Sequence, residues 1–148
     1  MNGREFLAAL NRDIPLTNAM GIDIAEFGPS KVVLKVPFAP NRNHVDTVFG
    51  GSLYAAAALG CYGLFRAISA ESGIVSDNLV IQEGSIEYKA PVEGDFEVES
   101  LRPEEAEVRR FLEQLKRHGK ARLLLKASIK KDGSERAVFK GSYVFKET

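Results

Sequence analysis

The sequence predicts an α+β fold, a curved antiparallel sheet of about six strands wrapped around one long helix. Three observations lead there. Residues 53–72 are apolar on nearly every side, with Arg66 and Glu71 as the only charges, and a helix without a polar face has to be enclosed by protein. Six further segments alternate apolar and polar residues with period two, the mark of half-buried strands. Most of these are joined by tight turns, which suit hairpins and not the long crossovers of a parallel sheet.

The elements follow in order. Phe6, Leu7 and Leu10 fall at helical spacing within residues 4–12, and this helix ends before Ile14-Pro15, because a residue preceding proline avoids the α region. Pro15 opens a second short turn that runs to Met20 and closes at Gly21. A strand from Ile22 to Phe27 and another from Lys31 to Phe38 form a hairpin around Gly28-Pro29-Ser30, burying Val32, Leu34, Val36 and Phe38. Residues 39–49 are a polar loop. Gly50-Gly51-Ser52 then leads into the apolar helix, whose Ala55 to Ala58, Gly60 and Gly63 let its backbone lie close to a flat partner. Strands follow at 78–90 and 95–101. The amphipathic helix 103–117 has Pro103 at its first position, acids in its first turn and Lys116 and Arg117 in its last, matching the helix dipole. Strands 121–131 and 135–145 meet at Asp132-Gly133, a strong tight-hairpin signal.

Composition narrows the function. The chain has 148 residues and 16.2 kDa, a size suited to one domain spanning 1–148. Twenty basic residues balance twenty acidic ones, without the basic excess typical of nucleic-acid binders. One cysteine excludes an internal disulfide framework, and two histidines without shared spacing give no metal site. No apolar run approaches the roughly 20 residues of a membrane span, and the first residues lack a signal-peptide pattern. These features lead us to expect a cytoplasmic protein, with no nucleic-acid or membrane partner and no cofactor.

The run Asn43-His44-Val45-Asp46-Thr47-Val48-Phe49-Gly50-Gly51 resembles a signature of the hotdog-fold acyl-CoA thioesterases, in which a loop of the form N-x-x-G-x-x-H-G-G enters the central helix. Asn43, Gly50 and Gly51 match it. The stretch Ser85 to Asp95, Gly119-Lys120 and Asp132-Gly133 are similar to later parts of the same fold, so the resemblance covers about residues 14–146. Pro40-Asn41 with Phe49 to Ala55 looks like one group of small thioesterase-type domains, some of them fused C-terminally to acetyltransferases. The resemblance implies a hotdog fold, an acyl-CoA or acyl-carrier thioester as substrate, and a homodimer or dimer of dimers paired through the third strand. Two positions and one stretch depart from the family's pattern. Phe49 stands in place of the histidine, Asp46 in place of the loop glycine, and Tyr54 to Leu59 holds none of the acids that many relatives carry there.

Physical chemistry gives these residues roles. The first N–H groups of a helix have no helical partner and favour negative charge. Gly50, Gly51 and Ser52 can therefore hold a thioester carbonyl and the oxyanion formed on hydrolysis, or the glycines only let the helix start against the sheet. His44 and Phe49 border that position. Asn43 has donors and an acceptor to orient a water, and is equally a turn former. The candidates for accepting the water's proton are Asp46, on the same loop, and Glu83 in the third strand, where a bulge at Gly84 would change the face. Cys61 reads as a buried inert thiol, and His118 as a residue complementing a helix C-terminus. The cluster Arg109, Arg110, Lys116, Arg117, Lys120 and Arg122 either attracts the phosphates of coenzyme A or is a solvated face balanced by nearby glutamates. Two other readings stay open: a hydratase or dehydratase, which the loss of histidine at Phe49 disfavours, and a non-catalytic acyl-binding or dimerisation module.

Overall fold

The computed structural model describes residues 1–74 and 76–147. Helix α1 spans Gly3–Asp13 and is capped by the Asn2 side chain, which accepts from the Glu5 N–H at 2.9 Å. Helix α2 spans Leu16–Met20 and ends at Gly21 in the left-handed region, φ +71°. Strands β1 (Asp23–Phe27) and β2 (Lys31–Val36) form the expected hairpin. The long helix α3 is Gly50–Glu71. Strands β3 (Leu79–Tyr88) and β4 (Phe96–Leu101), helix α4 (Glu105–His118), and strands β5 (Lys120–Lys131) and β6 (Ser134–Lys146) complete the chain. The six strands form one sheet in the order β1-β2-β4-β5-β6-β3, with each neighbouring pair antiparallel. The α+β class and the sheet wrapped on its helix are as the pattern implied.

Several boundaries moved for local reasons. Strand β2 stops at Val36, because Pro37 has no N–H for the ladder. Helix α4 starts at Glu105, with Glu104 extended (φ −53°, ψ 141°) as its cap, so Pro103 precedes the helix. The loop from 39 to 49 is more ordered than its polarity suggests. It holds a 3₁₀ turn at Ala39–Asn41 and a bridge between Arg42 and Val48. Asp132 (φ 51°) and Gly133 (φ 77°) make the predicted left-handed hairpin turn.

The core lies between α3 and the concave face of the sheet. Leu64, Phe65 and Ile68 of α3 are fully buried against Val32, Val98, Ile129 and Phe139 among others. At Gly60 a Cβ would lie 2.8 Å from Cγ1 of Val98, so glycine is what lets α3 approach β4 this closely. By length and hydropathy α3 is apolar enough to cross a membrane, with a mean hydropathy of 1.3 over its best window. This corrects the expectation that no run comes near. The physical reason for its composition is enclosure, since 67% of that window is buried inside the protein's own fold.

Candidate functional site

The site is built where the loop ending at Phe49 meets α3. Buried Asn41 anchors the approach. Its side-chain amide donates to the carbonyls of Met20 (2.9 Å) and Pro37 (2.8 Å), and its backbone carbonyl accepts from Phe49 N–H at 2.8 Å. Val48 N–H donates to the Val92 carbonyl at 2.8 Å, tying the loop to the β3–β4 connection. The N–H groups of Ser52 and Leu53 share the Phe49 carbonyl, at 2.9 and 3.2 Å. Gly50 and Gly51 carry the two preceding N–H groups, the first of the helix, and neither has an acceptor among the described residues. Gly51 is exposed and Gly50 half-buried, so both orphan donors stand at an accessible helix start, where the dipole favours developing negative charge.

Tyr88, at the end of β3, closes one side. Its hydroxyl donates to the Gly50 carbonyl at 2.9 Å. Burial, and then the neighbouring Tyr54, push its phenol above the ordinary tyrosine value. Tyr54 lies one helical turn beyond the glycines, packs edge-on against Phe139 at 5.2 Å, and rests its hydroxyl on Gly84, where no Cβ would fit. A cavity of about 320 Å³ adjoins the helix start, lined by Thr47, Gly50, Leu53, Tyr88, Pro91 and Val92 among others. The Phe49 ring lies over Gly51, so that a Cβ there would run into the ring.

The predicted residues separate into two groups. Asn43, His44, Asp46, Phe49, Gly50, Gly51 and Ser52 sit on the loop and the first turn of α3. Asn43 braces the loop. Its side-chain oxygen accepts from the N–H groups of Val45 (2.9 Å) and Thr47 (3.1 Å), and its amide donates to Thr47 Oγ1 at 2.8 Å. That leaves one amide hydrogen unused. Asp46 is exposed and has φ 59°, which accounts for a glycine at this place in the signature, since short polar residues are the next best occupants of the left-handed region. His44 is exposed beside it. Glu83 stands apart. It is in register with Ser142, whereas Gly84 faces Gly141 on the side of Phe139 and Tyr143, so Glu83 points to the outer face of the sheet. The irregularity falls between Ile81 and Glu83, which places the extra residue at Gln82 and corrects the expected bulge at Gly84.

Cys61 is buried, 3.6 Å from Ser100 Oγ, which donates to the Lys126 carbonyl at 2.7 Å. Burial pushes its thiol up to about 12, so it is no nucleophile at neutral pH. No group of three or more His, Cys, Asp or Glu placed to hold a metal occurs among the described residues. The sequence reading placed Asn41, Tyr54 and Tyr88 within the stretches that carry the resemblance and gave none of them a role in the site. The spacing of Tyr54 from Gly50 and Gly51, one turn along the helix, was the available signal for it. Tyr88 reaches the helix only through the sheet.

Residues 4–147 match the family model described as "Putative thioesterase (yiiD_Cterm)". The chain belongs to this family. Among solved structures, it is similar to a protein of unknown function from Chlorobaculum tepidum, at 30% identity and a TM-score of 0.91, over 99% of this chain and 94% of that one. It is also similar to a "putative thioesterase" from Shewanella oneidensis, at 27% identity and 0.87, over 99% and 97%. A third structure, of a protein of unknown function from Pseudomonas aeruginosa, shares the fold at 21% identity and 0.81, over 98% and 96%. This yiiD_Cterm-family thioesterase-type domain thus has the hotdog fold that its loop signature implied.

Proposed function

We propose that the protein hydrolyses an acyl-CoA or acyl-carrier thioester, as a homodimer in the cytoplasm, with no cofactor or membrane partner. The observation that carries this reading is the pair of accessible, unpartnered N–H groups of Gly50 and Gly51 beside a cavity in a thioesterase-family fold. The carbonyl oxygen rests on those two amides. Water adds to the carbonyl carbon, its proton passes to Asp46, the C–S bond breaks, and the thiolate leaves and takes up a proton. The unused amide hydrogen of Asn43 orients the water. His44, Phe49 and Ser52 border the acyl-thioester. Asp46 is favoured over Glu83 because it shares the loop of Asn43, while Glu83 faces outward.

Release of free thiol from a panel of acyl-CoAs tests the reading directly. Asp46→Asn is expected to lose about 10²–10³ in kcat, within the range of a general base, while Glu83→Gln keeps the parental rate. An Asp46→Asn variant with an unchanged rate and pH profile would remove Asp46 from the mechanism. No thiol release from any acyl-CoA or acyl-carrier thioester would favour the non-catalytic acyl-binding module.

Support for the dimer comes from the sheet edge. Among the described residues strand β3 has β6 on one side and no strand on the other, and it exposes Val80, Ile81 and Tyr88. Long apolar edges invite pairing, and a two-fold copy of β3 forms an isologous continuation of the sheet. Light scattering at micromolar concentration is expected to give twice the chain mass, or four times for a dimer of dimers. A monodisperse 16.2 kDa species would overturn it.

A further inference from the structure

The sheet has a gap that the proposed chemistry does not use. Strand β4 pairs with β5 only through Glu97–Glu99 against Ser128–Lys130. Over Lys120–Leu125 the neighbour of β5 on that side is therefore a helix, α4, which seats Phe111 against Phe65 at 5.1 Å. Between α4 and this half of β5 runs a groove of about 660 Å³. Its apolar floor is Leu124 and Val144, with Phe111 and Leu123 buried beneath, and its walls carry Arg110, His118, Lys120 and Arg122 against a single carboxylate, Glu107. Among the described residues Arg110, Lys120 and Arg122 make no ion pair with the protein's own carboxylates, so their charges are available to a ligand. The backbone of β5 on the α4 side borders the same groove, with N–H and C=O groups that no strand among the described residues takes up.

We propose that this groove binds the 3′-phosphorylated adenosine diphosphate end of coenzyme A, which makes acyl-CoA the substrate class. This inference rests on the thioesterase reading above. Unpaired guanidinium and ammonium groups match a multiply charged phosphate ligand. The apolar floor and open strand edge suit a planar base with donors and acceptors on its rim. The proposed dimer sets the reach. A two-fold copy of β3 runs antiparallel, so the partner's Leu79 end lies beside the Tyr88 end. Leu79 is in register with Phe145, and Phe145 with Ala121. Three strand spacings, about 15 Å, then separate one protomer's β3 from the partner's β5 and its groove, a gap for the extended pantetheine arm to cross.

Calorimetric titration of the full chain with adenosine 3′,5′-bisphosphate tests the groove without any turnover. Saturable binding is expected, weakened at least about tenfold by Arg110→Glu with Arg122→Glu, each of which removes a charge-assisted contact. Both side chains are exposed, and Arg122→Ala provides a milder second variant. In turnover, the ratio of kcat/KM for an acyl-CoA to that for the matching N-acetylcysteamine thioester should fall at least about tenfold in the double variant. Absence of saturable bisphosphate binding, or equal binding by the charge-reversed chain, would overturn the proposal. So would a variant that loses acyl-carrier turnover and keeps acyl-CoA turnover. If no thioester is hydrolysed at all, the thioesterase reading fails while the titration still decides the groove.

Discussion

Gly51→Val is expected to lower thioester hydrolysis by about 10²–10³, the usual effect of losing an oxyanion donor, while the protein stays folded. Gly51 is exposed on the first turn of α3, and its N–H has no acceptor among the described residues. A side chain there meets the Phe49 ring. That ring is 57% exposed and can swing away, so the clash is relieved at the surface and not in the core. The branched side chain and displaced ring then occupy the approach to the two amides. The loss should appear in kcat, because the oxyanion forms only as the carbonyl is attacked. Thiol release by the folded variant, checked by circular dichroism, decides the matter. A parental rate would mean that the carbonyl rests elsewhere.

The second large effect concerns stability. Phe65→Ala should cost about 3–5 kcal/mol, as expected for removing a fully buried aromatic ring, and lower Tm by about 6–20 °C for a chain of this size. Phe65 has no exposed surface. Its ring meets Phe111 edge-on at 5.1 Å, stacks on Phe145 at 6.2 Å and lies 6.2 Å from Tyr143. It therefore joins α3, α4 and β6 at one point, and the cavity left behind would be walled by rigid elements that cannot collapse into it. Urea unfolding of the parent and variant measures the difference. A loss below about 1 kcal/mol would show that α4 does not depend on this contact.

The amino-acid sequence by itself determined the elements and their class. Period-two alternation marked the strands, the absence of a polar face marked α3 as enclosed, and Asp132-Gly133 marked the last hairpin. These are local signals, set by side-chain periodicity and backbone preference over a few residues, so they survive without knowledge of the fold. The loop signature and the paired glycines likewise stood out, because an accessible helix start needs nothing beyond its own first turn. Tertiary structure alone decided what met across the sheet. Glu83 faces outward because the extra residue at Gln82 changes the alternation of β3. Tyr88 reaches Gly50 only because β3 ends beside the start of α3. The basic residues of α4 and β5 line one groove because β4 pairs with β5 over only three residues and a helix fills the space that a strand would have taken. Strand register and helix placement depend on packing between segments far apart in the chain, and no short window of sequence carries that information.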